Sequence, residues 1–230
     1  MMKRLVAVLL LAAIGSVFAT LWLGYTPDSE LNQTARYYAE RTATDLGSAN
    51  IVTAIVVTYR GLDTLGEVTV LFLAATIVGL VLAQGVHTEH RARTPVGELL
   101  TTGTRFLVPL ILLLGVYVFV NGHLTPGGGF QGGAIVASGM LLLLLADPLK
   151  QFSHGLISVI ESLAGLLYVA IGLAGLFLAG GFLDNRFLPL GTLGELASAG
   201  AIPLIYSLIG LKVGAEFSSM LASLSETEEL

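Results

Sequence analysis

Two carboxylates, Glu67 and Glu161, sit inside stretches that are otherwise apolar, 62–86 and 156–182. An acid at the centre of a membrane helix costs roughly 2.5–3.5 kcal/mol to insert. Acids that persist there face a protein interior or a water path, where they trade protons or cations. Arg60, Asp63 and Glu67 fall at i, i+3 and i+7, along one face of a helix. Arg60 is placed to neutralise Asp63 at the membrane surface. Glu67 then lies about one turn deeper, roughly 6 Å along the axis, where apolar surroundings suit it to exchanging a proton. A structural account competes: Asp63 caps the helix and Glu67 complements its positive end. Glu161 has His154 seven residues before it, on the same face if the helix reaches that far. Imidazole titrates near neutrality and can hand protons to a buried acid; the alternative is a structural pairing with a neighbouring helix. Glu67 lies towards the outer side and Glu161 towards the inner side, so a relay between them needs water or groups of another subunit. Lys212 and Glu216, at i and i+4, are expected as a surface pair near the inner end of the last helix, worth a few tenths of a kcal/mol. Buried against a partner, Lys212 becomes a proton-path residue.

The stretch Asn121-Gly-His-Leu-Thr-Pro-Gly-Gly-Gly-Phe-Gln-Gly-Gly133 concentrates five glycines after Pro126. Gly127, Gly128 and Gly129 permit unusual dihedrals at a helix start, and broken helix starts line ion sites in transporters. His123 and Gln131 are the polar groups nearby. The stretch reads as a seam between subunits or an access point for a cation; for the glycines alone, close helix packing is the favoured account. It lacks the Lys and Ser/Thr order of a phosphate loop. His87, Glu89 and His90 cluster without a third and fourth ligand, so no metal site is expected. No nucleophile triad or dinucleotide fingerprint appears, and no bound cofactor is implied.

These residues must be positioned by membrane helices. Of 230 residues, 54% are hydrophobic and only 12% charged, where a soluble domain carries about 25% charge. The class is an all-α, multi-pass protein of the cell membrane. A net charge of −5 argues against a nucleic-acid partner, and cysteine is absent. Six spans are expected, at 5–24, 62–86, 106–120, 130–146, 156–182 and 196–213, with kinks at Pro109 and Pro203. The first is read as a retained helix rather than a cleaved signal. Lysine and arginine placement favours N-in and C-in. The outer loop 25–61 holds a polar surface helix within 28–45. It also holds a β-branched run, 51–59, expected as an extended or re-entrant piece. The charged stretch 84–95 is read as a hinge. Three parts follow: a two-helix unit at 1–90, a four-helix unit at 91–220 and an acidic tail at 221–230. Thr64-Leu-Gly-Glu67 recurs as Thr192-Leu-Gly-Glu195, each expected to open a helix.

The segment from Asn50-Ile-Val through Tyr59-Arg-Gly-Leu-Asp-Thr-Leu-Gly-Glu67 resembles the C-terminal membrane part of the large subunit of Mrp-type multisubunit cation/proton antiporters. It is equally similar to the small E-type protein of archaeal membrane-bound hydrogenases. From Arg93 onward the chain resembles the B-type component of Mrp antiporters. The glycine-rich stretch carries that resemblance, with Glu161-Ser-Leu-Ala-Gly-Leu-Leu-Tyr168, Gly191-Thr-Leu-Gly-Glu-Leu-Ala-Ser-Ala-Gly200 and Gly210-Leu-Lys-Val-Gly-Ala-Glu216. The resemblance implies a non-catalytic subunit of a Na+/H+ antiport module, with Na+ and H+ as the transported ions. Other membrane subunits and lipid would be its partners. It implicates the acid at Glu67 in ion passage. Two units usually carried on separate chains are joined here, which leaves open a hydrogenase or sulfur reductase as the host, and equally a purely structural role in assembly.

Overall fold

The computed structural model describes residues 2–26, 30–83, 97–147 and 152–228. The chain divides into two compact units, Met1–Tyr37 and Tyr38–Leu230. The first holds α1, Met2–Gly24, and the start of α2, Gln33–Leu46. Beyond Lys3 and Arg4 α1 is predominantly apolar, and it is one of six helices long and apolar enough to cross a membrane. The surface helix expected within 28–45 is α2, opened by the Asn32 side chain, which accepts from Ala35 N–H at 2.8 Å.

In the second unit, the run 51–59 is helical rather than extended. α3, Ile51–Ala54, passes into a π-helical turn, Ile55–Tyr59. β-Branched residues favour strands, but no neighbouring strand exists among the described residues to pair with. The segment therefore satisfies its backbone internally, as apolar surroundings require. The remaining long helices are α4, Gly61–Ala83; α5, Glu98–Val120; α6, Gly129–Ala146; α7, His154–Leu178; and α8, Ile202–Glu228. Pro109 lies inside α5. Pro203 falls in the first turn of α8, where proline's missing N–H has no helical partner to lose, so it marks a helix start and not a kink.

The final span differs most from expectation. Residues 196–201 are turns, α8 begins at Ile202, and it continues fifteen residues past the expected end at 213. Thr192–Glu195 lies in a turn and opens no helix, so its match with Thr64–Glu67 is not a structural repeat. Residues 221–228, expected as part of an acidic tail, continue α8. α8 packs against α4, α5, α6 and α7 and forms the centre of this unit. Around its first half lies the core: Val57, Val68, Tyr168, Leu183, Ala199, Ile202, Ile205, Tyr206, Ile209 and Val213. The stretch 84–95, with its expected hinge and the His87, Glu89 and His90 cluster, lies outside the described residues.

Candidate functional site

The first part of the site is built by α3. The Asn50 side-chain oxygen accepts from Thr53 N–H at 3.2 Å, and its amide donates to the carbonyls of Gly122 and Thr125, each at 2.9 Å. Thr53 donates its hydroxyl to the Gly122 carbonyl as well, at 2.5 Å. These bonds clamp the start of α3 to the loop between α5 and α6. The π-helical turn then ends at Arg60, and Thr64, from the first turn of α4, donates back to the Val56 carbonyl at 2.5 Å. π-Turns of this kind are rare and concentrate at functional sites. Arg60 and Asp63 form the expected i, i+3 ion pair, 2.6 Å apart and more than half exposed. Glu67 follows one turn on. Its side chain is exposed on the face of α4, and no ion pair holds it among the described residues.

Deeper in the bundle, α7 and α8 bring three charged residues together. Lys212 Nζ is 2.6 Å from Glu216 Oε1 and 3.9 Å from Glu161 Oε1. Its ammonium also stands 4.8 Å from the centre of the Phe72 ring on α4. Glu216 is 0% exposed and Lys212 9%. The expected surface pair is therefore an interior one. Ending the last helix at 213 put Lys212 at a membrane edge; with α8 running to Glu228 it lies about ten residues, roughly 15 Å, from the helix start. His154 is the first residue of α7, so the helix does reach it. Its side chain is exposed, and Ser153 caps the helix by accepting from Leu156 N–H at 3.3 Å.

The glycine-rich stretch is consumed by packing within the chain. Gly127, at φ +149°, lies against Val118. A Cβ added to Gly128 would fall 2.8 Å from the Tyr206 ring, and one on Gly129 would strike Ile209. Gly132 meets the Gly115 carbonyl on α5, and Gly133 the Gly210 carbonyl on α8, at 2.7 and 2.8 Å from such a Cβ. Gln131 is exposed at the outer face of this turn. His123 is wholly buried. Its carbonyl accepts from the N–H groups of Ala49 and Asn50, at 3.1 and 3.0 Å, and from the Ser48 hydroxyl at 3.1 Å. Burial pushes its imidazole below the usual range, against a weaker opposing pull from the backbone of Glu195, Leu196 and Val120. A neutral, buried ring of this kind is a fixed post in the loop. On the same side Asp184 pairs with Arg186. Burial raises the Asp184 carboxyl, but the Arg186 hydrogen bonds and charge outweigh it and hold the group below the carboxylate range.

Three residues of the site carry more than their sequence context suggests. Glu216 reads from spacing only as the partner of Lys212. Neither Asn50 nor Asn185 belongs to a charged cluster. Buried Asn185 donates to the carbonyls of Leu46 and Ala199, at 2.9 and 2.8 Å, and so anchors the loop ahead of α8. A polar residue flanking a membrane segment is the only sequence signal for either asparagine.

Residues 99–219 match the family model of a domain related to the MnhB subunit of Na+/H+ antiporter. Residues 2–89 match the family model of the MbhE component of MBH. An uncharacterized protein of Methanocaldococcus jannaschii is 31% identical over 199 residues, covering 74% of each chain. Among solved structures, a chain of the membrane-bound sulfane sulfur reductase, an archaeal respiratory membrane complex, is 42% identical. It superposes with a TM-score of 0.83, over 97% of this chain and 98% of that one. A chain of the Mrp complex from Dietzia sp. DQ12-45-1b is 29% identical with a TM-score of 0.76. That match covers 97% of this chain but 26% of the Dietzia chain, so this chain spans about a quarter of its length.

Proposed function

Because the chain belongs to the family of domains related to the MnhB subunit of Na+/H+ antiporters, we propose that it serves as a non-catalytic membrane component that helps carry Na+ and H+ through a larger complex. It is a multi-pass membrane protein and an MnhB-like module of the Mrp antiporter type. The relatives of known structure belong to multisubunit membrane complexes. In the proposed arrangement other membrane subunits cover the exposed face of α4. Glu67 is the exchangeable carboxylate, tuned by the Arg60–Asp63 pair. Glu161, with Lys212 and with His154 at the helix entrance, serves the inner half of the path. His123, Gly127, Gly128, Gly129 and Gln131 form the outer loop through which a cation enters or against which a neighbour packs. The lysine and arginine balance supports both termini inside. The matches over 2–89 and 99–219 support reading 1–90 and 91–220 as two joined units ahead of the tail at 221–230.

The observation that carries this reading is Glu67, exposed on a membrane helix and without an ion pair among the described residues, while Arg60 is committed to Asp63. A carboxylate left so in hydrocarbon is costly unless a neighbour or a water path receives it. The likeness to a reductase component along almost its whole length favours a second host, the same module within a hydrogenase or sulfur reductase complex. Purifying the complex through a tag on this chain, identifying its companions and loading it into vesicles tests both. The expected result is several membrane subunits and proton movement driven by a sodium gradient; an iron–sulfur companion points to the redox host. Isolation of this chain alone, with no cation flux, contradicts the proposal.

A further inference from the structure

The cluster of Glu161, Lys212 and Glu216 sets two carboxylates against one ammonium, with Nζ 2.6 Å from Glu216 and 3.9 Å from Glu161. The helices packed on α8 bring no further charge to it. α4 presents the Phe72 ring to Lys212, while its acids, Asp63 and Glu67, lie in its first two turns. α6 carries no titratable residue. On α5, Glu98, Arg105 and Tyr117 are exposed. On α7, His154 is exposed and Tyr168 is directed to the Gly61 carbonyl, 3.4 Å away. No second cation among the described residues offsets the cluster.

With all three groups ionised, the interior would hold one net negative charge, and an uncompensated charge buried in a membrane protein is strongly unfavourable. One more positive charge must reside there. A metal ion needs several oxygen ligands, and here the Lys212 ammonium already occupies the space beside both carboxylates. A proton needs only one oxygen. Glu216 Oε2 is buried and has no hydrogen-bond partner, which leaves it open to a proton, while Oε1 lies 2.6 Å from Lys212 Nζ. Glu161, by contrast, keeps 17% of its side chain exposed. Gly165 of α7 lies beside the lysine stem. A Cβ there would touch Cδ, Cε and Nζ at 3.6–3.8 Å, so the bare glycine leaves the stem space to shift.

We propose that Glu216 is a proton-carrying carboxylate at mid-membrane depth and that Lys212 is its switching counter-ion. A proton arriving on Glu161 passes to the Glu216 carboxylate. One O–H bond breaks, one forms, and no electrons change hands. Neutral Glu216 releases the ammonium, which moves over Gly165 to the newly ionised Glu161; the 2.6 Å contact at Glu216 belongs to the stage before this transfer, with the proton still on Glu161. Loss of the proton from Glu216 draws it back. The transport use of this step rests on the proposed function; the one proton held by the Glu161–Glu216 pair does not.

The test uses the whole complex isolated through this chain, as wild type, Glu216→Gln and Glu216→Asp. Infrared spectra are taken at neutral pH with sodium or potassium as the only salt, and proton flux is measured in vesicles. The wild type shows a carboxylic-acid band that is lost in Glu216→Gln, shifted in Glu216→Asp and the same in both salts. Glu216→Gln assembles, because Glu161 and Lys212 remain balanced, and its flux is lost. An unaltered band in the variants, a band removed by sodium alone, or normal flux in Glu216→Gln overturns the inference. Should the Gln variant fail to assemble, the Asp variant decides by whether the band shifts. Flux lost in Glu67→Gln but kept in Glu216→Gln sinks this inference alone; flux kept in Glu67→Gln beside an intact Glu216 band sinks the role of Glu67 alone.

Discussion

Glu67 and Glu216 are carboxylates of one chain in opposite settings. Glu67 stands exposed on α4 beside an arginine that has chosen another partner; Glu216 is enclosed and shares a lysine with Glu161. The Arg60–Asp63 pair is legible from i, i+3 spacing because both ends of that contact lie on one short stretch of chain. The burial of Glu216 is not, since it depends on which helices surround α8, and spacing is silent about that. His123 gives a prediction at this scale. Its folded value lies below the ordinary 6.5 through burial, so between the two values the unfolded chain binds more protons. Its stability contribution is full above about 6.5 and is lost as pH falls through the folded value. The thermal midpoint of the isolated complex is expected to drop on acidification from about pH 7 to about pH 5, and His123→Gln to flatten that slope. An equal slope in the variant would assign the acid sensitivity to other groups.

Helices and loops obey a different logic. Gly132 and Gly133 let α6 approach the backbone of α5 and α8 on opposite sides. Gly132→Ala is expected to lower stability by about 1–3 kcal/mol through overpacking against the Gly115 carbonyl, whereas Gly66→Ala, on an open face, should be close to neutral. Thermal unfolding of the two variants side by side measures the difference. Asn50→Ala removes the bonds to Gly122 and Thr125 together with the cap on α3, a loss of roughly 1–3 kcal/mol. It is expected to expose 51–59 to protease ahead of the long helices. The glycine-rich stretch and four of the six spans can be read closely from composition, because length and apolarity alone specify a membrane helix; the third begins at Glu98, eight residues before its expected start. The extended alternative for 51–59 fails because β-branching speaks for a strand only where a partner strand exists. The last span misleads because Lys212 and Glu216 look like a membrane edge, yet paired charges can lie at mid-depth when a protein interior surrounds them.

For the molecule as a whole, α8 is the central element. It packs against four other helices and carries Lys212 and Glu216. The chain is similar both to an antiporter component and to a component of a respiratory reductase. The most direct check is sodium-driven proton flux by the intact complex in vesicles, compared between wild type, Glu67→Gln and Glu67→Asp, with assembly verified for each. Flux abolished by the amide and largely kept by the shorter acid, in complexes of unchanged composition, is the expected result. Undiminished flux with the amide would contradict it and leave this chain a role in holding its neighbours together.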